Sequence, residues 1–291
     1  MDNISTAILA ISLIVIMLGM GLSLEINDFK RILIHPKAIA VGLVNQLLIL
    51  PLLGFLIASF IPVVPGIAVG VMILVACPGG PTSNLIAHLA KGDTALSVSL
   101  TAISSFITIV TIPFIVNFGL EQFMDQGQII KLNVAQTIIQ TFVIIVIPVC
   151  IGMLIRSKKQ AFADKMSKPV RTASGIVIML VIVGLLIKEK DHVVSYFQQA
   201  GVVTLVLNIT TMIVGFCSAK LFKITDRQAI SIAIESGIQN GTMAIAIAVF
   251  LLGNATFAIA PAIYSLLMFF TSGIVIYLGI STNRFFSSKN A

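Results

Sequence analysis

Long apolar runs, separated by Pro, Gly and charged residues, dominate this sequence. Nine runs are of membrane-spanning length, at roughly 4–24, 37–61, 66–90, 94–119, 133–155, 170–187, 199–222, 227–252 and 256–281. A chain that is 58% hydrophobic and only 10% charged has more apolar surface than a water-soluble core can hold, so it must use lipid as its solvent. The sequence therefore predicts an all-α membrane protein of about nine transmembrane helices.

The positively charged residues predict the orientation of these helices. Fifteen of the 18 Lys and Arg residues follow the first, third, fifth, seventh and ninth runs, and only Lys131, Lys188 and Lys190 lie on the other side. The positive-inside rule then places the N-terminus outside and the C-terminus in the cytoplasm of a bacterial inner (plasma) membrane. No basic stripe on a soluble element accompanies the net charge of +7, so we expect lipid and no nucleic acid as a partner.

Glu235 differs from the other acidic residues in its position. Ten of the 11 acids lie in loops or at helix ends, whereas Glu235 lies deep in the eighth run. An unpaired carboxylate near the middle of a bilayer costs a few kcal/mol, and acids at such positions usually mark an ion or proton path. The alternative is a protonated carboxyl group that only bonds a neighbouring helix.

Two of the predicted helices are interrupted near their centres. The segment CPGGPTSN, residues 77–84, interrupts the third, and ESGIQNGT, residues 235–242, interrupts the eighth. Pro and Gly weaken or remove helical hydrogen bonds, and backbone freed at membrane depth persists only where it lines a cavity or binds a ligand. One such break is explained by a simple kink, but two breaks rich in polar residues predict a binding site.

The two interrupted helices would cross the membrane in opposite directions, which is typical of inverted repeats. We expect two crossed broken helices, derived from a five-plus-five ancestor that has lost its first span. Pro81, Thr82 and Ser83 are suited to begin the second half of the third helix. The positive ends of two such half-helices would attract an anionic substrate.

Further polar side chains fall close to the first break. Ser97, Thr101 and Ser104 share one face of the predicted fourth helix, and a short turn brings that face near Ser83 and Asn84. A hydroxyl in a membrane helix often only bonds its own backbone. Together with one carboxylate, however, these groups form a hard-oxygen environment that suits Na⁺ rather than a transition metal.

Two amides near the middle of the second run, at positions 45 and 46, add to this polar set. Asn45 and Gln46 either bridge two helices or extend an ion site beside Glu235. The sequence alone leaves both interpretations open.

The segments GGPTSN, ALSVSLT and ESGIQNG together resemble the bile acid:sodium symporter family, in a bacterial nine-helix form. The resemblance implies a core domain at residues 36–125 and 196–282, a panel domain at 1–35 and 130–195, and a cytoplasmic tail at 283–291. It also implies a monomeric symporter that imports an organic anion by alternating access with two Na⁺ ions and no other cofactor. The anion would be bile acid-like or a small carboxylate such as pantoate or a keto acid.

The resemblance further implies three sets of site residues. The first sodium site would consist of Ser83, Asn84, Ser97, Thr101 and Glu235. The second would consist of Gln46, Glu235, Ser236, Ile238 and Gln239, with Ser236 and Ile238 contributing backbone carbonyls. The candidate substrate contacts are Asn240, Thr82 and Ser265. Some relatives carry a histidine near the substrate where this chain has Met268, so their substrate cannot be transferred to it.

Three other functions remain open at this point. An arsenite-type metalloid efflux carrier would use Cys77 at the first break, although no base nearby would stabilise its thiolate. An intramembrane enzyme would need an acid, a base or a metal beside Glu235, and none is apparent, so we expect no enzyme. A passive channel would conduct ions without needing an anion.

Overall fold

The computed structural model of the chain describes residues 3–30, 34–124, 134–188 and 193–288, and all regular structure in these ranges is helical. The predicted all-α fold is therefore confirmed for the described residues. In chain order the elements are α1 (Asn3–Gly21), α2 (Ile26–Lys30), α3 (Pro36–Phe60), α4 (Pro65–Ala76), α5 (Pro81–Leu89), α6 (Thr94–Phe123), α7 (134–158), α8 (Gln160–Lys188), α9 (Val193–Leu221), α10 (Asp226–Gly237), α11 (Gly241–Ala246, continued by a π-helical turn at Ile247–Leu251), a 3₁₀ turn (Thr256–Ala258) and α12 (Ile259–Ser288).

Within the described ranges, five helical segments are long and apolar enough to cross a membrane, and the bent pair α4–α5 would make a sixth. The five are Pro36–Phe60, Thr94–Phe123, Val194–Leu221, Asp226–Leu251 and Thr256–Gly279. The protein is thus a multi-pass membrane protein. The count of nine spans and their inverted repeat stay predictions.

The helix α8 begins well before the apolar run that predicted it. It starts at Gln160 rather than near residue 170, because the intervening charged residues form helix readily once they lie beyond the hydrocarbon. The Arg156 side chain bonds Asp164 of α8 at 2.9 Å and Glu25 in the loop after α1 at 2.7 Å. This ion-pair cluster joins α7, α8 and the end of α1.

Two of the long helices contain a π-helical turn next to a proline. The turn Asn45–Ile49 lies just before Pro51 in α3, and Phe142–Val146 lies just before Pro148 in α7. Proline has no N–H and crowds the preceding turn, so a locally wider turn keeps the helix continuous. In α3 the wide turn carries two buried amides, Asn45 and Gln46.

Both interruptions predicted from the sequence are present. The helix α4 ends at Ala76 and α5 begins with Pro81, and their axes are bent by 70°. The second break lies between Gly237 and Gly241, where Asn240 accepts the N–H of Met243 on its side-chain oxygen at 3.1 Å and so caps α11. Two half-helices therefore begin at the breaks.

Protein surrounds α4 on all sides. Every residue from 67 to 80 is buried, as expected of a helix that is apolar all round. The helix packs against α3, α6 and α12, while α9 packs against α10 and α12. The first break is therefore shielded from lipid by other helices.

The helix α1 packs against α7 and α8, and two glycines allow a close approach to α7. A Cβ atom on Gly152 would lie 2.4 Å from the Leu18 carbonyl oxygen, and one on Gly21 would lie 2.2 Å from the Val149 carbonyl oxygen. Small residues at such crossings let backbones pack closely in membranes.

We expect Gly152→Ala to destabilise the protein by about 1–3 kcal/mol, because the added methyl group overlaps backbone that cannot move without separating the helices. Gly184→Ala in α8 is the matched control, since nothing lies within 4 Å of a Cβ atom there. Thermal unfolding in detergent checks this, and equal melting temperatures for the two variants would contradict it.

Candidate functional site

The carboxylate of Glu235 lies at the centre of a buried polar cluster. The residue is 1% exposed near the end of α10. Thr101 donates a hydrogen bond to its Oε1 at 2.5 Å, and Ser97 donates one to its Oε2 at 3.1 Å. These donors lie one turn apart on α6, so the face predicted from the sequence does meet this acid.

The start of α5 supplies the rest of the cluster. Asn84 Oδ1 also lies within hydrogen-bond distance of both hydroxyls, 2.9 Å from Ser97 Oγ and 3.2 Å from Thr101 Oγ1. Ser83 Oγ lies 3.4 Å from Thr101 Oγ1 and donates to the Gly80 carbonyl at 2.7 Å. The structure thus brings together all five residues of the first predicted sodium site.

Ser104 does not join this cluster. Its hydroxyl donates to the Thr101 carbonyl in its own helix at 3.2 Å, which is the common behaviour of Ser and Thr in membrane helices. Of the three hydroxyls on this face, those of Ser97 and Thr101 therefore reach Glu235, and that of Ser104 bonds its own helix.

A glycine at the first break makes room for the carboxylate. A Cβ atom on Gly79 would lie 2.2 Å from Glu235 Oε1. The break also bonds the second break directly, because the Asn240 N–H donates to the Pro78 carbonyl at 2.9 Å. The two interruptions are therefore in contact.

The amides of Gln46 and Gln239 form a reciprocal pair beside Glu235. Gln46 Nε2 donates to Gln239 Oε1 at 2.9 Å, and Gln239 Nε2 lies 3.3 Å from Gln46 Oε1. Gln46 also donates to the Cys77 carbonyl at 3.0 Å. The structure thus links α3 to both breaks through these two side chains.

The backbone of α10 completes the second predicted set. Gln239 Nε2 donates to the carbonyls of Glu235 at 3.2 Å and Ser236 at 3.0 Å. The Ser236 hydroxyl bonds the Ile232 carbonyl, so only its main chain faces the amide pair. Ile238 lies fully buried in the break.

Asn45 has the bridging role that the sequence left open. Its amide donates to the Val41 carbonyl and to Ser218 Oγ of α9, both at 2.8 Å. It thereby links α3 to α9.

The three predicted substrate contacts lie around the start of the second half-helices. Asn240 is 8% exposed and caps α11. Ser265 of α12 lies directly against Gly241, where an added Cβ atom would be 1.8 Å from its hydroxyl oxygen. Thr82 is partly buried in the first turn of α5. Asn240 and Ser265 are thus neighbours through Gly241.

Cys77 lies at the end of α4 with its thiol directed into its own helix. It is fully buried, and Sγ donates to the Ile73 carbonyl at 3.2 Å. This is the arrangement of a small packed side chain.

Sequence reasoning missed two polar residues at the second break. Asn208 of α9 and Tyr264 of α12 are fully buried, and both donate to the Gly237 carbonyl at 2.6 Å. The one available signal was Asn208, an amide near the middle of the apolar run of residues 199–222.

Comparison with known proteins identifies the family. The sequence profile described as the Sodium Bile acid symporter family matches residues 10–196, more than half of the chain. The chain belongs to the sodium bile acid symporter family. The resemblance drawn from three short motifs is therefore confirmed, and the protein is a member of a family of sodium-dependent transporters.

Several members of this family are similar over most of this chain. It is 30% identical over 237 residues to the uncharacterized sodium-dependent transporter YocS of Bacillus subtilis (strain 168), covering 80% of this chain and 71% of that protein. It is 28% identical over 238 residues to the ileal sodium/bile acid cotransporter of Homo sapiens, covering 81% and 67%.

A plant relative is also similar. The chain is 27% identical over 243 residues to the probable sodium/metabolite cotransporter BASS2, chloroplastic, of Oryza sativa subsp. japonica, covering 82% of this chain and 56% of that protein. The chain spans less than two thirds of the length of this and other plant relatives that it matches.

We expect Gly79→Ala to destabilise the protein by about 1–3 kcal/mol, because the new methyl group overlaps the Glu235 carboxylate in a packed site. Gly80→Ala is the matched control, since its Cβ atom would meet only the Asn240 side chain, at an ordinary 3.7 Å. Thermal unfolding in detergent measures both. If Gly80→Ala lowered the stability as much as Gly79→Ala, the cause would be the lost flexibility of the backbone and not the overlap with the Glu235 carboxylate.

Proposed function

We propose that this protein is a sodium-coupled secondary active symporter that imports an organic anion by alternating access with two Na⁺ ions. The observation that carries the proposal is a buried cluster around Glu235 in which acceptor oxygens outnumber the hydrogens available to them. Relatives named as sodium/bile acid and sodium/metabolite cotransporters support the coupling ion and the substrate class.

Hydrogen counting shows that the first site lacks one positive charge or hydrogen. Ser83, Ser97 and Thr101 each have one hydroxyl hydrogen, and that of Ser83 goes to the Gly80 carbonyl. The other two face three acceptor atoms, namely both Glu235 oxygens and Asn84 Oδ1. A small hard cation satisfies such a surplus of oxygen lone pairs.

The charge of Glu235 also favours a cation. The salt bridges of the described residues join Arg156 to Glu25 and Asp164, and Lys220 to Asp226, so none of them neutralises Glu235. A buried charge is costly unless it is paired or coordinates a metal ion. Bound Na⁺ would supply that pairing.

The second site would form where Gln46 and Gln239 meet. Their side-chain oxygens and the carbonyls of Ser236 and Ile238 are hard ligands, and Gln239 bonds the backbone carbonyl of Glu235. In the structure the two side-chain amides contact each other. Sodium would replace these contacts, and one acid would then serve both ions.

The anion would bind at the start of the half-helices α5 and α11. Helix N-termini carry a positive partial charge that favours anions. Asn240, Ser265 and Thr82 would orient the ligand there. We propose a bile acid-like anion or a small carboxylate such as pantoate or a keto acid as the substrate.

Transport would require one part of the molecule to move against the other. We propose that residues 36–125 and 196–282 form a core that carries both breaks, and that residues 1–35 and 130–195 form a panel against which the core moves. The monomer would lie in the bacterial inner membrane with its N-terminus outside and its C-terminus in the cytoplasm.

Uptake into proteoliposomes tests the coupling. With an inward Na⁺ gradient, we expect accumulation of a labelled carboxylate such as pantoate, pyruvate or taurocholate to exceed that in K⁺ at least tenfold, because the ion gradient is the driving force. Single-channel recording is the companion measurement. Equal uptake in K⁺ would overturn sodium coupling, and currents that need no anion would indicate a passive channel.

Replacing the shared acid provides the residue-level test. Glu235→Gln or Glu235→Ala should abolish both the rise in melting temperature with added NaCl and sodium-driven uptake, because both ions lose their charged ligand. Glu121→Gln, at an exposed position of α6, should leave both unchanged. Retention of sodium stabilisation in Glu235→Ala would remove the acid from the proposed site.

A further inference from the structure

At the end of the half-helix α10, the Ile234 carbonyl still accepts a helical hydrogen bond, from the N–H of Ile238 at 2.7 Å. The carbonyls that follow it have no partner in the helix backbone, as at every helix C-terminus. The carbonyls of Glu235 and Ser236 accept hydrogen bonds from the side chain of Gln239. The last carbonyl, that of Gly237, has partners from outside this helix.

Two other helices hold the Gly237 carbonyl. Asn208 Nδ2 of α9 and Tyr264 Oη of α12 each donate to it at 2.6 Å, and Asn208 Nδ2 also donates to Tyr264 Oη at 3.1 Å. We call Asn208, Tyr264 and the Gly237 carbonyl the Gly237 bracket. Its two side chains are fully buried.

The Asn208 amide places its nitrogen, and not its oxygen, against the Gly237 carbonyl. Only the nitrogen end can face a carbonyl oxygen at 2.6 Å, because two acceptors at that distance repel. Its oxygen, in consequence, is one of two buried side-chain polar atoms in the described residues with no hydrogen-bond partner. A buried acceptor is costly to leave unpaired, so the donor end must supply a compensating interaction.

Close packing reinforces the bracket. A Cβ atom on Gly237 would lie 2.2 Å from the Met212 side chain, one turn along α9 from Asn208. Gly237 therefore lies directly against α9, and a larger residue there would require the Met212 side chain or the break itself to shift.

We propose that Asn208 and Tyr264 are positioning residues for the second sodium site. This inference rests on the proposed function, because that site would use the carbonyls of Ser236 and Ile238, which flank Gly237. When Na⁺ takes the Ser236 carbonyl and the Gln239 side chain, their present contact with each other is lost. The Gly237 bracket remains, because neither of its donors belongs to the sodium site, and it keeps the flanking carbonyls directed at the ion.

Removing the Tyr264 hydroxyl is the mildest test. In proteoliposomes, Tyr264→Phe should raise the Na⁺ concentration for half-maximal uptake about three- to tenfold, as the loss of one hydrogen bond predicts. The KM for the anion at saturating Na⁺ and the maximal rate should stay within about twofold, because no anion contact is removed. Tyr277→Phe, at a 71% exposed position of α12, is the matched control and should behave as the wild type.

A double-mutant cycle tests whether the two donors act on one carbonyl. Asn208→Leu should also raise the half-maximal Na⁺ concentration. In the double variant this concentration should rise by more than the product of the two single fold-changes, because only then is the Gly237 carbonyl left without a donor. The shift in melting temperature with NaCl, measured on the same purified variants, gives a second readout that does not depend on transport.

The outcomes separate this inference from the function on which it rests. Wild-type protein without any sodium response would overturn both. A wild-type response that persists unchanged in Tyr264→Phe and in the double variant would overturn the positioning role alone. A rise in the anion KM without a change in sodium dependence would also overturn it, since it would assign Tyr264 to the substrate side.

Discussion

Main-chain polar groups inside a membrane must find partners within the protein, and the structure around the two breaks depends on this constraint. The Pro and Gly residues of the first break free carbonyls in the most buried part of the molecule. The Cys77 carbonyl accepts a hydrogen bond from Gln46, the Pro78 carbonyl from the Asn240 N–H, and the Gly80 carbonyl from Ser83. Each donor comes from a different element, so three helices must meet here.

The groups that satisfy these carbonyls are also the candidate ligands of the proposed ions. Gln46, Ser83 and Gln239 each hold a break in the structure and each has an oxygen within reach of the proposed sodium sites. Stability and ion binding therefore draw on the same atoms. These side chains can bond either the backbone of the breaks or a bound ion. A ligand-driven change of conformation requires two such alternative arrangements.

The sequence predicted those features that have a local signature. The two prolines and two glycines from Pro78 to Pro81 predicted the first break. The spacing of Ser97 and Thr101 after a short turn predicted that both would face the polar cluster at Glu235. Hydropathy located the helices, but it missed the first turns of α8. Those turns are charged, and they extend the helix beyond the apolar run that predicted it. Asn208 and Tyr264 were missed because their partner, Gly237, lies far along the chain. One amide or one tyrosine in an apolar run does not reveal what it will contact.

The hydrogen bond from the Asn240 N–H to the Pro78 carbonyl has a thermodynamic consequence. It ties the two breaks together at the point where the proposed ion and anion sites adjoin, so neither break can be reshaped alone. Coupling of this kind is reciprocal: whatever factor sodium adds to the affinity for the anion, the anion must add to the affinity for sodium. Under the proposed function, the empty protein would bind either ligand more weakly than a protein that already holds the other one, so the fully loaded form would be favoured over the partly loaded forms.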